Sequence, residues 1–142
     1  MEQRVSLITL AADDPQRLAQ FYEALGWRRV DSPDGIVVFD LIGQTLGLYG
    51  RAALADELGM KAQDLGQGAV ILSQNVRSKD AVGPLLQRAE DAGGRIVKPA
   101  QDVFWGGFHG HFADPEGHIW EVAWNPYSPL GPQGEFQWNG AD

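Results

Sequence analysis

One succession of elements occurs twice along this chain, and that repetition restricts the fold more than any single motif does. Arg4 to Ala12 reads as a strand, with apolar residues on both of its alternating faces. Asp13 or Asp14 then caps a helix, and Pro15 suits its first turn. Leu18, Phe21, Tyr22 and Leu25 share one face of that helix, and Gly26 stops it. Strands are expected at Trp27 to Asp31, Gly35 to Leu41 and Thr45 to Tyr49, with turns at Ser32-Pro33-Asp34-Gly35 and Ile42-Gly43-Gln44.

The second pass begins near Gly66. Ala69 to Val76 reads as a strand, and a helix reaches Ala92 with Val82, Leu85, Leu86 and Ala89 on one face. Ser78 is its candidate cap, but Gly83-Pro84 predicts a distorted first turn or a later start, because Pro84 has no amide hydrogen. Gly93-Gly94 ends it, and strands follow at Arg95 to Lys98, Gly107 to Ala113 and His118 to Trp124. The order β-α-β-β-β therefore appears over about residues 4–50 and again over about 66–126. Residues 51–65 form a linker with helical tendency in Ala52 to Leu58. Residues 127–142 form a Pro- and Gly-rich tail that packs through Phe136 and Trp138 or frays.

The bulk properties exclude several classes of function. At 142 residues the chain suits one domain with its own core. No apolar run approaches the roughly eighteen residues of a membrane span. The N-terminus lacks the zones of a signal peptide, and the absence of cysteine rules out disulfides and thiolate sites. A cytoplasmic location is expected. A formal charge of −8 disfavours nucleic acid and is compatible with a cationic ligand, although solubility alone also accounts for it.

All three histidines lie in the last hairpin, His109, His111 and His118. Its turn, Asp114-Pro115-Glu116-Gly117, is expected to form a three-residue loop with Gly117 as the left-handed bulge residue. Asp114 then faces His118, and His111 faces Glu121. Strand alternation puts His109 on the same face as His111 and Glu121. A two-residue loop would instead set Glu121 opposite Gly110. His118, beside the turn, is expected to be exposed.

The run Phe104-Trp105-Gly106-Gly107, then Asp-Pro-Glu-Gly and Ile-Trp-Glu-Val, closes a duplicated βαβββ unit. In this the chain resembles the vicinal oxygen chelate superfamily, which includes glyoxalase I, bleomycin-resistance proteins and extradiol dioxygenases. The resemblance covers about residues 4–126. It implies an α+β fold in which two βαβββ modules form an open, curved mixed sheet within a single domain spanning 1–142, and a homodimer in which modules pair within or across chains.

Metal-dependent members take one ligand from the first and one from the last strand of each module. Matched to that pattern, the positions here are Leu7, Gly47, Ala69 and Glu121, so only Glu121 keeps a ligand type. A catalytic ion needs about three protein ligands. The resemblance therefore implies a member without the usual metal set, and no cofactor is expected, a divalent metal being disfavoured.

Three readings of His109, His111 and Glu121 stay open: a satisfied pair in which His111 hydrogen-bonds Glu121, a polar ligand-binding or acid–base site, and a relocated metal site. Trp105, Phe104, Phe39, Tyr49 and Trp120 are candidates to line an aromatic pocket for a flat or cationic ligand, with Trp105 as wall or lid. The expected function is binding of a small organic molecule, such as sequestration of a drug or metabolite, with no nucleic-acid or membrane partner. The alternative is a glyoxalase-like lyase or isomerase, or an oxygenase, acting through Glu121, His111 and His109.

Overall fold

A computed structural model describes residues 1–33 and 35–140. Asp34, within the expected turn at Ser32–Gly35, and the last two residues of the tail lie outside the described residues. The chain divides into two compact units, Met1–Gln67 and Gly68–Asp142.

In the first unit, β1 (Leu7–Ala12) leads into α1 (Pro15–Ala24). Asp14 is the cap, its carboxylate accepting from the Arg17 amide at 3.0 Å, with Pro15 directly after it. The helix ends at Gly26, whose φ of 103° is open to glycine and strained for other residues. There the Trp27 amide donates to the Tyr22 carbonyl at 3.1 Å, and the Gly26 amide to Glu23 at 2.9 Å. β2 (Ile36–Asp40) and β3 (Thr45–Gly50) follow, giving a sheet of order β1-β3-β2. β1 runs parallel to β3, and β2 antiparallel to it. α2 (Arg51–Glu57) occupies the expected linker.

The strand expected at 27–31 reduces to a single bridge, Val30 to Val38. Its side chains are taken up by α1. Trp27 stacks on Tyr22 at 5.0 Å, and Arg29 grips both oxygens of Glu23 at 2.7 and 2.8 Å. β1 also departs from expectation: its residues alternate, with Leu7 46% exposed and Leu10 buried, so only one face is covered.

In the second unit, β4 (Ile71–Asn75) precedes a 3-10 turn at Lys79–Ala81 and then α3 (Val82–Asp91). The helix thus starts later than Ser78, which makes no capping bond. Pro84 falls in its first turn, where amides have no intrahelical acceptor to lose. Its end repeats the cap of α1: the Gly94 amide reaches Ala89 at 2.9 Å and the Gly93 amide reaches Glu90 at 3.0 Å. β5 (Arg95–Asp102), β6 (Phe108–Ala113) and β7 (Ile119–Trp124) complete a sheet of order β4-β7-β6-β5. β5 runs past the expected end at Lys98 because register shifts on either side of Lys98 absorb Pro99 on an edge strand.

Each sheet buries one face against its own helix. Leu10, Val37, Phe39, Leu46 and Leu48 meet the buried side of α1, formed by Leu18, Phe21 and Tyr22. Phe112, Trp120 and Val122 form the matching layer with Val82, Leu86 and Ala89 of α3. Phe112 and Trp120 are cross-strand partners whose rings stack at 6.1 Å. The tail is tied to the second unit, the Arg77 guanidinium donating to the Gly131 carbonyl at 2.9 Å and Ser128 to the Trp138 carbonyl. Phe136 and Trp138 remain exposed. No helix among the described residues is long and apolar enough to cross a membrane.

Candidate functional site

The β6–β7 hairpin turns through Pro115-Glu116-Gly117, the three-residue loop expected from sequence. The Asp114 amide donates to the His118 carbonyl and the Gly117 amide to the Asp114 carbonyl, each at 2.9 Å, with Gly117 at φ 89°. Asp114 is buried, and its Oδ1 accepts from the Glu116 and His118 amides, both at 2.9 Å. Its Oδ2 lies 2.7 Å from His118 Nδ1. His118 is therefore half-buried and engaged, not exposed as expected, because the buried carboxylate draws the imidazole onto the loop.

With the loop set, His111 pairs with Glu121 and His109 with Ala123. Both histidines and Glu121 project from the side of the sheet opposite α3, since Gly110 between them faces Leu86 of that helix. The hydrogen bond falls differently from expectation. His109 Nδ1 lies 2.7 Å from Glu121 Oε1, whereas His111 Nε2 stands 4.0 Å from the same oxygen. The small Ala123 opposite His109 leaves room for this diagonal contact. Ser73 of β4, paired in register with Glu121, donates to Oε2 at 2.9 Å. The two imidazoles meet edge to face at 4.9 Å.

His111 is held below its ordinary imidazole value, first by burial, then by His109 and Lys98, with Glu121 opposing them. It is thus a neutral ring near neutral pH. Two nitrogens in this patch, His109 Nε2 and His111 Nδ1, are buried with no protein partner. One nitrogen from each ring and one Glu121 oxygen lie within 4.8 Å of one another. Ser73 was missed from sequence because its place beside Glu121 depends on parallel pairing between distant strands.

The aromatic candidates separate. Phe39 is 1% exposed and packed against Tyr22 and Trp27, so it belongs to the core and not to a pocket wall. Trp120 is likewise in the layer beneath α3, on the side away from Glu121. Tyr49 is half-exposed, and its hydrogen bond to Glu57 of α2 raises its phenol above the ordinary value. Phe104 is fully exposed at a loop tip. Trp105 is half-buried and lies over Gly107, where an added Cβ would come within 2.0 Å of its ring.

The metal positions implied by the resemblance do not fit an ion. Leu7, Gly47 and Ala69 have no donor side chain, and Ala69 precedes β4 at φ 37°. The register puts Thr9, not Leu7, opposite Gly47, and Ser73, not Ala69, opposite Glu121. Neither hydroxyl replaces an imidazole or a carboxylate as a strong ligand. Isoleucine fills the gap at Gly47: a Cβ there would stand 2.9 Å from Ile36 Cδ1 and 3.4 Å from Leu7 Cδ1.

Comparison with known proteins agrees with this architecture. A glyoxalase-related enzyme from Fulvimarina pelagi superposes with a TM-score of 0.87 at 35% identity, over 96% of this chain and 99% of that one. An uncharacterised protein of Mycobacterium bovis is 30% identical over 80% of this chain and 78% of its own length. A lactoylglutathione lyase from Agrobacterium tumefaciens, at 20% identity and a TM-score of 0.66 over 87% of this chain and 95% of that one, shares the fold. The family model for the glyoxalase/bleomycin resistance protein/dioxygenase superfamily matches residues 4–122, and this establishes that the chain belongs to that superfamily.

Proposed function

We propose that the chain binds a small organic molecule on the β6–β7 face, with His109, His111 and Glu121 as its polar anchor and Trp105 as an aromatic wall. The observation that carries this reading is the pair of buried imidazole nitrogens without protein partners, beside a carboxylate. Buried polar atoms are normally satisfied, so such a pair calls for an occupant. Gly107, beneath Trp105, immediately precedes β6 and is two residues before His109. A flat, hydrogen-bonding ligand, neutral or cationic, would stack on the indole and bond the imidazoles. Sequestration of a drug or metabolite is the corresponding role.

The test is titration of the folded chain with a panel of aromatic and cationic ligands, read by tryptophan fluorescence. Saturable binding that weakens about tenfold or more in Glu121→Gln and His109→Ala is the expected result, since each removes a charge-assisted contact. Binding indifferent to both substitutions, or absent across the panel, would remove the reading.

The 2.7 Å contact between His109 and Glu121 favours a second reading, metal-free acid–base catalysis. The carboxylate accepts from His109 Nδ1–H and leaves Nε2 with a lone pair to take a proton from a substrate carbon. A lyase or isomerase of that kind would lose turnover in Glu121→Ala with the fold intact, whereas a sequestering protein shows no turnover to lose.

For assembly, we infer the homodimer implied by the family. The uncovered apolar side chains Val5 and Leu7 in one unit and Val70 and Ile71 in the other support it. Sedimentation equilibrium should return twice the 15.5 kDa chain mass.

A further inference from the structure

We propose that His109, His111 and Glu121 form a divalent transition-metal site built on the β6–β7 hairpin alone, in which Glu121, the one superfamily position that keeps a ligand type, is joined by two histidines that lie outside that pattern.

The three ligand atoms lie within 4.8 Å of one another, with His109 Nδ1 at 2.7 Å and His111 Nε2 at 4.0 Å from Glu121 Oε1. An ion bound at about 2.0–2.2 Å to nitrogen and oxygen sets its ligands roughly 3–3.5 Å apart. The 2.7 Å separation must open, and the 4.0 Å separation and the one between the two histidine nitrogens must fall within that range, by rotation of the side chains about their χ angles. The backbone ladder fixes the rest, because His111 and Glu121 are direct cross-strand partners and His109 is the diagonal neighbour. Ser73 holds the other carboxylate oxygen at 2.9 Å and so orients Glu121, as outer-shell partners of metal ligands do. Two imidazoles and one carboxylate suit zinc, cobalt, nickel or ferrous iron, and not calcium or magnesium, which prefer oxygen. Three protein ligands from one face leave coordination positions open on the side away from the sheet.

This inference deepens the proposed ligand-binding reading by adding a cation to the same face, and the experiment separates the two. The full chain is stripped with chelator, incubated with zinc or cobalt(II), desalted and analysed for metal. One ion retained per chain is expected, with a visible cobalt spectrum showing nitrogen coordination. His111→Ala, His109→Ala and Glu121→Gln should each weaken retention by tenfold or more, and Ser73→Ala by about tenfold. His118→Gln, outside the trio, should retain the ion. Substoichiometric metal in the wild type, or retention unaffected in both His109→Ala and His111→Ala, overturns the site. Should a variant fail to fold, the cobalt spectrum of the wild-type chain decides: bands of a nitrogen-ligated ion support the site, and the spectrum of free aqueous cobalt overturns it. Organic-ligand titration of the stripped chain runs in parallel. Ligand binding without metal retention defeats the metal site only, and metal retention without any organic ligand defeats the ligand reading only.

Discussion

Glu121 has two oxygens and two different neighbours, a hydroxyl on one and an imidazole on the other. That asymmetry aims Oε1 at the histidines and gives the patch its chemistry. It was legible in part. The repeat and the turn residues placed both histidines and Glu121 on one face, but which ring bonds the carboxylate depends on a diagonal reach that strand alternation does not reveal. His111, left without that bond, is half-buried and held below its ordinary value of 6.5. The unfolded chain therefore binds this proton more readily than the folded one. The stability linked to His111 is complete above pH 6.5 and is lost as pH falls through the lower folded value. In metal-stripped protein, thermal melts should show Tm declining below that pH, and His111→Gln should flatten the decline. Gly107 invites a second measurement: Gly107→Ala puts a methyl where the Trp105 ring lies. The indole must swing away, so the near-UV circular dichroism contributed by Trp105 should diminish and organic-ligand affinity should fall with it.

Among the elements, local chemistry was the readable part. Asp14, Pro15 and Gly26 bound the first helix as their residue types require, and the Gly93-Gly94 end repeats the same hydrogen bonds. The stretch 27–31 has the residues of a strand, yet its aromatic and its arginine are claimed by α1, a competition decided by packing. Conversely, β5 outlasts its expected end because an edge position and two register shifts accommodate Pro99. Two substitutions probe the hairpin. At Gly110 an added Cβ would stand 2.4 Å from Leu86 Cδ1 and 2.9 Å from the Lys98 carbonyl oxygen. Gly110→Ala should therefore destabilise by about 1–3 kcal/mol in chemical denaturation, as overpacked sites do. Asp114→Ala removes the acceptor for two loop amides and the partner of His118, and should cost about 1–3 kcal/mol.

At the scale of the whole chain, the two units share parallel first and last strands and the same helix cap, but not the same strand count or surface chemistry. Pairing in the sheets makes the comparison position by position. Glu121, His111 and Ser73 correspond to Gly47, Val38 and Thr9, since Val38 and Thr9 are the register partners of Gly47. A duplication visible in sequence thus conceals a division of labour that only the strand registers disclose. The first copy has no carboxylate to aim, and the space at Gly47 is taken by Ile36 and Leu7. On the proposed reading the first copy serves as scaffold and the second copy carries the site. Proposed sites should accordingly be counted by chains and not by modules: a dimer would carry two, and substitutions at Thr9 or Val38 should leave ligand and metal stoichiometry untouched.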